Sequence, residues 1–299
     1  MIKYVISTEI PPPYWHPWLK YGAGFFSNYL RVLQQLVTME QKYRNEQGQL
    51  PVVPYIDWTT SLFVDNNGVV AGLPFPENPK NPWYHWFVGP RQTETNTVVQ
   101  ANSAYDAEVL NHNGNYWRDH NPYVNYLRLI DQRHNILRPH IMYNINEIYN
   151  LHFKGHRVLC VMARGNEFRY NHNLQGFWEL DFYIQGTKKI LSENPDFTKV
   201  FLVTDDANWI TPFCNEIPIT FYCDVFRRTT QTEEYIEKNP YWWADTLRPD
   251  HSIRLGEECL IQAHLMAKCN MIFGRQSGTV NGAMLFNENI ENYELVGFE

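Results

Sequence analysis

The segment VLCVMARGNEFRYNH, Val158 to His172, decides the interpretation of the fold. It opens with the apolar, partly β-branched run Val158 to Ala163, which is typical of a buried strand. The run ends abruptly at Arg164-Gly165-Asn166-Glu167, which supplies a cation and a carboxylate. Because open α/β sheets bind ligands outside the carboxyl ends of their strands, this pattern predicts a functional strand end.

Two later segments repeat the pattern. KVFLVT, Lys199 to Thr204, continues into Asp205-Asp206, and NMIFG, Asn270 to Gly274, continues into Arg275-Gln276-Ser277-Gly278. Strands of one parallel sheet end at the same edge, so the three polar clusters should share one rim. That rim is the candidate site.

The second half of the chain alternates between strands and helices. The predicted elements are strand Val158 to Ala163, helix Phe177 to Leu191, strand Val200 to Thr204, helix Trp209 to Cys214, strand Thr220 to Asp224, helix Gly256 to Ala267, strand Asn270 to Phe273 and helix Val280 to Phe286. Such alternation predicts a parallel, doubly wound α/β sheet.

The first half gives a weaker form of the same signal. Strands are expected at Lys3 to Thr8 and at Leu50 to Ile56, the second ending at Asp57, and a short buried strand near Trp86 to Val88. We therefore expect two Rossmann-like domains that face each other across a cleft. The boundary is expected near His152 to His156, which gives residues 1–153 and 154–299.

A glycine-rich turn precedes the first amphipathic helix. Gly22, Gly24 and Asn28 lie in the sequence GAGFFSN, and apolar residues then recur at helical spacing. Backbone amides at such a turn can cradle an anion. The alternative is that the glycines serve only the backbone dihedral angles of a loop.

Composition limits the class of function. The formal net charge is −7, which argues against a general nucleic-acid-binding protein, since such a protein needs a basic surface. Aromatic residues make up 15% of the chain, with ten Trp and nineteen Tyr. They indicate an aromatic core, or else stacking platforms for sugar rings or a base.

The cysteines and the N-terminus bear on location. The five cysteines are scattered and form no CxxC pair, which favours buried, reduced thiols over disulfides or a zinc site. MIKYVISTEIPPP lacks the features of a signal peptide, and no run of 18 apolar residues occurs. A cytoplasmic protein is expected.

The rim residues suit the chemistry of nucleotide sugars. Arg164 can clamp a diphosphate through its planar guanidinium, and the Ser277 hydroxyl with loop amides can contact other phosphate oxygens. Asp205 or Asp206 can hold a base or a ribose hydroxyl. Glu167 can deprotonate an incoming alcohol.

Each of these residues also has a structural interpretation. An arginine at a strand end is often a surface salt-bridge partner, and an aspartate there often caps the next helix. Only the coincidence of three such strand ends favours a binding site.

Three segments resemble the motifs of the fucosyltransferase superfamily, which includes core α-1,6-fucosyltransferases, nodulation fucosyltransferases and protein O-fucosyltransferases. They are VLCVMARGNEF, VFLVTDD and ECLIQAHLMAKCNMIFGRQSGTVNGAMLF, within residues 156–287. GAGFFSN also resembles the N-terminal turn of the O-fucosyltransferases. The resemblance implies a GT-B fold, a donor site in the C-terminal domain, no metal, no tightly bound cofactor and inversion at the anomeric carbon.

The resemblance also implies roles for particular residues. Arg164 corresponds to the family's arginine on the β-phosphate, and Asp205 to the first aspartate of its TDD motif. Ser277 and Gly278 correspond to the phosphate-binding serine loop. With Asp206, Gln276, Gly22, Gly24 and Asn28, these form the predicted donor-binding set, and GDP-fucose is the favoured donor, with a glycan as acceptor.

The chain departs from the family at Met162, where the family has a histidine near the guanine. A UDP-sugar is therefore a possible donor. The catalytic base is expected to be Glu167, with His172, Asp57 and Glu9 left open.

Two other functions are compatible with the motifs. Asp205-Asp206 can be interpreted as the metal-binding DxD-type motif of a UDP-sugar glycosyltransferase. The chain can also be a nucleotide- or glycan-binding module without catalysis. A nucleotide-sugar epimerase is disfavoured, because no G-x-G-x-x-G follows the first strand.

Overall fold

The structure, a computed structural model, has an α/β fold with parallel sheets, as predicted. It describes residues 2–7, 25–44, 52–58, 81–88, 98–100, 122–165, 179–229, 248, 250–275, 277–287, 289–290 and 294–296.

The chain forms two compact units. Unit 1 comprises Met1–His112, Asp119–Met142 and Thr246–Cys259, and unit 2 comprises Asn113–Arg118, Tyr143–Asp245 and Leu260–Glu299. The main change of unit thus lies between Met142 and Tyr143, and a later segment returns to unit 1. The expected division into 1–153 and 154–299, and the cleft, stay predictions.

Unit 1 contains a parallel three-stranded sheet and a small antiparallel pair. Its elements are β1 (Ile2–Ser7), α1 (Phe25–Tyr43), β2 (Val52–Asp57), α2 (Trp83–Trp86), β3 (Phe87–Val88), β4 (Val98–Gln100), α3 (Pro122–His134) and β5 (Ile136–Leu137). The parallel strands are ordered β2-β1-β4, and β3 pairs with β5. The first half is therefore a parallel α/β sheet as well.

Aromatic rings form the core of unit 1. Trp58, Trp83 and Trp86 are fully buried, and the ring centroids of Trp83 and Phe87 lie 4.3 Å apart. Phe25 at the start of α1 packs edge-on against Trp86, with centroids 5.1 Å apart. These described aromatic residues serve core packing, the first of the two interpretations of the composition.

Unit 2 contains a parallel sheet with the strand order β10-β9-β6-β7-β8. After α4 (Pro139–His152), which starts in unit 1, the elements are β6 (Val158–Ala163), α5 (Leu180–Glu193), β7 (Lys199–Thr204), a 3₁₀ turn (Ala207–Trp209), α6 (Ile210–Glu216), β8 (Thr220–Phe221), α7 (His251–Met266), β9 (Met271–Arg275), α8 (Gly278–Phe286) and β10 (Glu294–Val296). The first part of α7 belongs to unit 1.

The central strands of unit 2 follow directly from their sequences. Every residue of β6 is buried, as expected for a parallel strand covered on both faces. In α5 the buried residues Tyr183, Ile184, Thr187 and Ile190 recur at helical spacing and form one face. This face packs into the core with Phe213 and Phe273.

Several predicted boundaries were wrong. Helix α7 begins at His251, before the predicted start at Gly256. Gly256 lies inside the helix, where a Cβ atom would come within 2.3 Å of the Trp86 ring, so this glycine is needed for packing and does not mark the start of the helix. Strand β8 ends at Phe221 rather than Asp224. The Arg227 guanidinium donates to the carbonyl oxygens of Cys223 and Val225, which replaces strand pairing there.

The segment around α2 is a helical turn followed by a short strand, whereas the sequence predicted a strand from Trp86. Pro82 precedes the turn, and the Asn81 side-chain oxygen accepts a hydrogen bond from the Trp83 amide over 3.2 Å. Proline and asparagine thus start the turn, and only Phe87 and Val88 form the predicted strand.

The cysteines and helices agree with the sequence interpretation where it is tested. All five cysteines are free; Cys160, Cys223 and Cys269 are buried, and burial raises the pKa of the Cys223 thiol to about 12. Within the described residues, no helix is both long and apolar enough to cross a membrane. The location of the protein stays a prediction.

Candidate functional site

The ends of β6, β7 and β9 lie side by side in unit 2. Ala163 of β6 is paired with Thr204 of β7, and Met162 with Gly274 of β9, all in parallel register. The residues after these strands therefore leave the sheet at one edge, as the sequence predicted. We call Arg164, Gly165, Asp205, Asp206 and Ser277 the carboxyl edge.

Asp205 organises the start of this edge. Its Oδ1 accepts a hydrogen bond from the Gly165 amide over 2.8 Å, and its Oδ2 lies 3.7 Å from Arg164 Nε. The side chains of both charged residues are partly exposed. The carboxylate thus fixes the chain after β6 and orients the guanidinium, while a predicted contact with the donor stays a prediction.

Asp206 has a different environment from Asp205. It is fully buried, and its Oδ1 accepts a hydrogen bond from the Asn208 amide over 2.9 Å, so it caps the 3₁₀ turn. Its Cβ would lie only 2.9 Å from a Cβ added to Gly165. These contacts favour the capping interpretation weighed for a strand-end aspartate.

Ser277 caps α8, which follows β9. Its Oγ accepts a hydrogen bond from the Val280 amide over 3.3 Å, and the chain enters the helix at Gly278. A serine hydroxyl that accepts a hydrogen bond still carries a proton to donate. The hydroxyl and the helix N-terminus together offer donors and positive potential to an anion.

Gly274 permits the approach of β9 to β6. Its φ angle is +141°, and a Cβ at this position would lie 2.3 Å from the Met162 carbonyl oxygen. Only glycine fits this conformation without strain. The glycine therefore sets the path by which the chain reaches Ser277.

Met162, which stands where the motif that this segment resembles has a histidine, is buried in β6. Asn28 is also buried, and it lies inside α1, which begins at Phe25. The Asn28 side-chain oxygen accepts a hydrogen bond from Arg31 Nη1 over 3.3 Å. Its predicted donor contact is untested.

Other predicted site residues lie outside the described residues. They are Gly22, Gly24, Glu167, His172, Gln276 and Glu9. Asp57 is the last residue of β2 in unit 1, and its role as a base is untested. Which residue acts as base stays a prediction.

Arg227 lies next to the carboxyl edge and was not predicted from the sequence. Its Nε donates to the Thr204 carbonyl oxygen over 3.1 Å, at the last residue of β7. The next residue, Arg228, accepts a hydrogen bond from the Ala207 amide through its carbonyl oxygen over 2.8 Å. The only signal for this role was the arginine-rich composition of the stretch after β8.

Unit 1 contains a separate group of ligand-type side chains. His85 Nε2 lies 3.2 Å from Glu257 Oε2, and His140 Nε2 lies 3.9 Å from the same oxygen. No sequence pattern indicates this group, because the three residues have no local ligand spacing. The expectation that the protein has no metal site stays a prediction.

The electrostatics of this group follow from burial and charge. Burial lowers the pKa of His140; Glu257 opposes this shift, while His85 and Arg138 add to it. Burial raises the pKa of Glu257, but the hydrogen bond with His85 and the positive charges of His85, His140 and Arg254 outweigh it, so the pKa lies below its usual range.

Comparison with solved structures finds the same fold in fucosyltransferases. The NodZ α-1,6-fucosyltransferase co-crystallised with GDP has a TM-score of 0.53 and 17% identity, and the match covers 96% of this chain and 92% of that chain. The same enzyme soaked with GDP-fucose has a TM-score of 0.52 and 17% identity, and the match covers 96% of this chain and 92% of that chain. Fucosyltransferase NodZ from Bradyrhizobium has a TM-score of 0.53 and 16% identity, and the match covers 94% of this chain and 91% of that chain.

The chain therefore has the fold of these fucosyltransferases, a GT-B fold, as the resemblance implied. No protein-family model matches the chain, and a search of curated proteins finds no match.

Proposed function

We propose that the protein is a glycosyltransferase that moves fucose from GDP-fucose to a hydroxyl group of a glycan. The observation that carries this proposal is the carboxyl edge. There Asp205 lies beside Arg164, which follows β6, and β6 is adjacent to β9, the strand that leads to Ser277. The fold supports it, because NodZ structures with this fold were obtained with GDP and with GDP-fucose.

In the proposed reaction, the acceptor oxygen forms a bond to the anomeric carbon of fucose. The bond from this carbon to the β-phosphate oxygen breaks on the opposite side, so the configuration is inverted. GDP leaves with the bonding electrons, and a base takes the hydroxyl proton. Arg164 stabilises the charge that develops on the β-phosphate, and the Ser277 hydroxyl donates to another phosphate oxygen.

We propose that this reaction needs no metal ion. A DxD-type site would require both carboxylates of Asp205 and Asp206 at the ion. Asp206 is buried and caps the 3₁₀ turn, so it would have to leave its hydrogen bond to Asn208. The guanidinium and the helix N-terminus supply the positive charge instead.

The base is assigned to Glu167, which follows Arg164 by three positions. A base must lie within hydrogen-bond distance of the acceptor hydroxyl, and the residues after a strand end are suited to reach a ligand there. His172, Asp57 and Glu9 are the further candidates.

The test measures nucleotide binding and transfer with the purified protein. Melting temperatures are compared with GDP, UDP, GDP-fucose and UDP-sugars, since a ligand that binds the folded state stabilises it. We expect stabilisation by GDP and release of GDP from GDP-fucose in the presence of a glycan acceptor and EDTA.

Other outcomes contradict specific parts of the proposal. Stabilisation by UDP alone would refute the assignment of GDP-fucose and give Met162 a role in nucleotide choice. Binding of GDP without transfer to any acceptor and without donor hydrolysis would indicate a binding module. Transfer that is abolished by EDTA and restored by a divalent ion would refute the metal-free mechanism.

A further inference from the structure

We propose that His85, His140 and Glu257 bind one zinc ion in unit 1, in addition to the nucleotide-sugar site of unit 2. The ligand atoms of the three side chains all lie within 4.8 Å of one another. The proposal does not rest on the proposed transferase activity.

The distances suit a metal of this size. Atoms bound at about 2.0–2.1 Å to a tetrahedral zinc ion lie roughly 3.3 Å apart. The distance from His85 Nε2 to Glu257 Oε2 is 3.2 Å, and that from His140 Nε2 to the same oxygen is 3.9 Å. A small rotation of the partly exposed His140 ring would complete the geometry.

The backbone brings His85 and His140 together. Strands β3 and β5 pair antiparallel, with Phe87 opposite Leu137, so the residues just before β3 and just after β5 lie at the same end of this pair. Arg138 strengthens the arrangement, because its amide donates to the Trp86 carbonyl oxygen and its Nε to the Tyr84 carbonyl oxygen, both over 2.9 Å.

The third ligand is placed by the packing of α2 against α7. Gly256 leaves room for the Trp86 ring, and Trp86 Nε1 donates to the Ile253 carbonyl oxygen over 3.2 Å. Trp86 and Gly256 are each next to a ligand in sequence, since His85 precedes Trp86 and Glu257 follows Gly256. The ligands are therefore held by buried contacts before a metal binds, which lowers the cost of binding.

The chemistry of the ligands selects the ion. Two imidazole nitrogens and one carboxylate oxygen suit zinc and other first-row transition metals, whereas magnesium and calcium prefer oxygen ligands. The side chains of His140 and Glu257 are 38% and 20% exposed, but His140 Nε2 is itself buried and has no hydrogen-bond partner, as expected for a ligand atom that faces the site.

The bound ion would stabilise unit 1. It would join three segments that are distant in sequence, at residues 85, 140 and 257. Because only the folded state brings the ligands together, zinc should raise the melting temperature in proportion to the logarithm of its concentration.

The test uses the untagged, full-length protein, stripped of metal and titrated with zinc chloride by calorimetry and thermal denaturation. We expect one equivalent to bind and the melting temperature to rise. His140→Gln and Glu257→Gln should each weaken binding at least tenfold, since loss of even an outer-shell partner typically costs about 10–100-fold. Gln at position 257 can still accept a hydrogen bond from His85, which keeps this variant folded.

The matched control is His156→Gln, which alters an exposed histidine of unit 2 and should leave zinc binding unchanged. Absence of zinc binding by the parent protein would overturn the proposal. Equal binding by all three variants would also overturn it, because the ion would then be an adventitious ion only. GDP binding, measured in the same preparations, tests the proposed function separately.

Discussion

The backbone amide of Gly165 donates a hydrogen bond to Asp205 over 2.8 Å. This bond joins the chain that follows β6 to the chain that follows β7. Arg164 lies immediately before Gly165, so its backbone position is set by a carboxylate from the neighbouring strand. We infer that Asp205 acts at the proposed donor site chiefly through Arg164.

Asp205→Ala should lower kcat about tenfold or more, because it removes both the acceptor for the Gly165 amide and the charge beside Arg164. Asp205→Asn keeps an oxygen acceptor and should retain more activity than the alanine variant. Steady-state kinetics with GDP-fucose give kcat and KM for both. Equal loss in the two variants would mean that the charge, rather than the hydrogen bond to the backbone, is what matters.

Arg164→Ala should lower kcat about 10²–10³-fold, as expected when a preorganised donor to developing negative charge is removed. The kcat of Arg164→Lys should lie between those of the parent protein and Arg164→Ala, since lysine keeps the charge but lacks the planar guanidinium. The control is Arg157→Ala, which breaks an ion pair with Asp196 at the start of β6, away from the carboxyl edge. If Arg164→Ala transferred fucose at the rate of the control, Arg164 would not contact the diphosphate.

The central strands of unit 2 could be predicted from sequence because parallel strands are covered on both faces. Such strands consist of short, continuous apolar runs, as in β6 and β7, and their polar ends are visible next to them. Shared use of one sheet edge then follows from the parallel direction alone. The positions of the three polar clusters therefore required no knowledge of tertiary contacts.

The roles of individual side chains required the structure. Asp205 and Asp206 are adjacent and chemically identical, and only burial separates the capping residue from the partly exposed one. His85 and Glu257 are 172 positions apart, so no local pattern reveals their contact. From the sequence, Gly256 was predicted to start a helix. Its actual role is to leave space for the Trp86 ring, a tertiary contact that the sequence does not show.

Gly274→Ala should destabilise the protein by about 3 kcal/mol or more, since it combines an unfavourable φ angle with overlap between Cβ and the Met162 carbonyl oxygen. Gly155→Ala is the matched control. Gly155 also has a positive φ angle, +80°, but no atom lies within 4 Å of its added Cβ, so we expect a cost of about 1 kcal/mol. Denaturant unfolding compares the two, and equal costs would show that backbone conformation alone is responsible.

Ser277→Ala should destabilise α8 by about 1 kcal/mol through loss of its N-cap. It should also weaken GDP binding by roughly tenfold, because a hydrogen bond to a charged group is lost. Ser192→Ala is a suitable control, since its exposed hydroxyl donates to the Lys189 carbonyl oxygen in the last turn of α5. Calorimetry with GDP and thermal denaturation separate the two effects, and unchanged GDP affinity in Ser277→Ala would exclude a phosphate contact.

Asp131 should make unit 1 less stable as the pH rises from about 4 to about 7. Burial raises the pKa of Asp131 to about 6, although hydrogen bonds from Tyr29 and Asn135 lower it. Because the folded-state pKa exceeds the ordinary value of 3.8, the folded state holds the proton more tightly. The stabilisation that comes from protonated Asp131 is complete below pH 4 and is lost as the pH passes through 6.

Asp131→Asn tests this pH dependence, because both hydrogen bonds end on Oδ1, which an asparagine side chain also provides. Relative to the parent protein, the variant should gain up to about 3 kcal/mol of unfolding free energy between pH 4 and pH 7. Denaturant titrations across this range, followed by tryptophan fluorescence, measure the difference. Glu147→Gln, an exposed substitution on α4, serves as the control. A difference between Asp131→Asn and the parent protein that stays constant with pH would show that Asp131 is ionised in the folded state throughout.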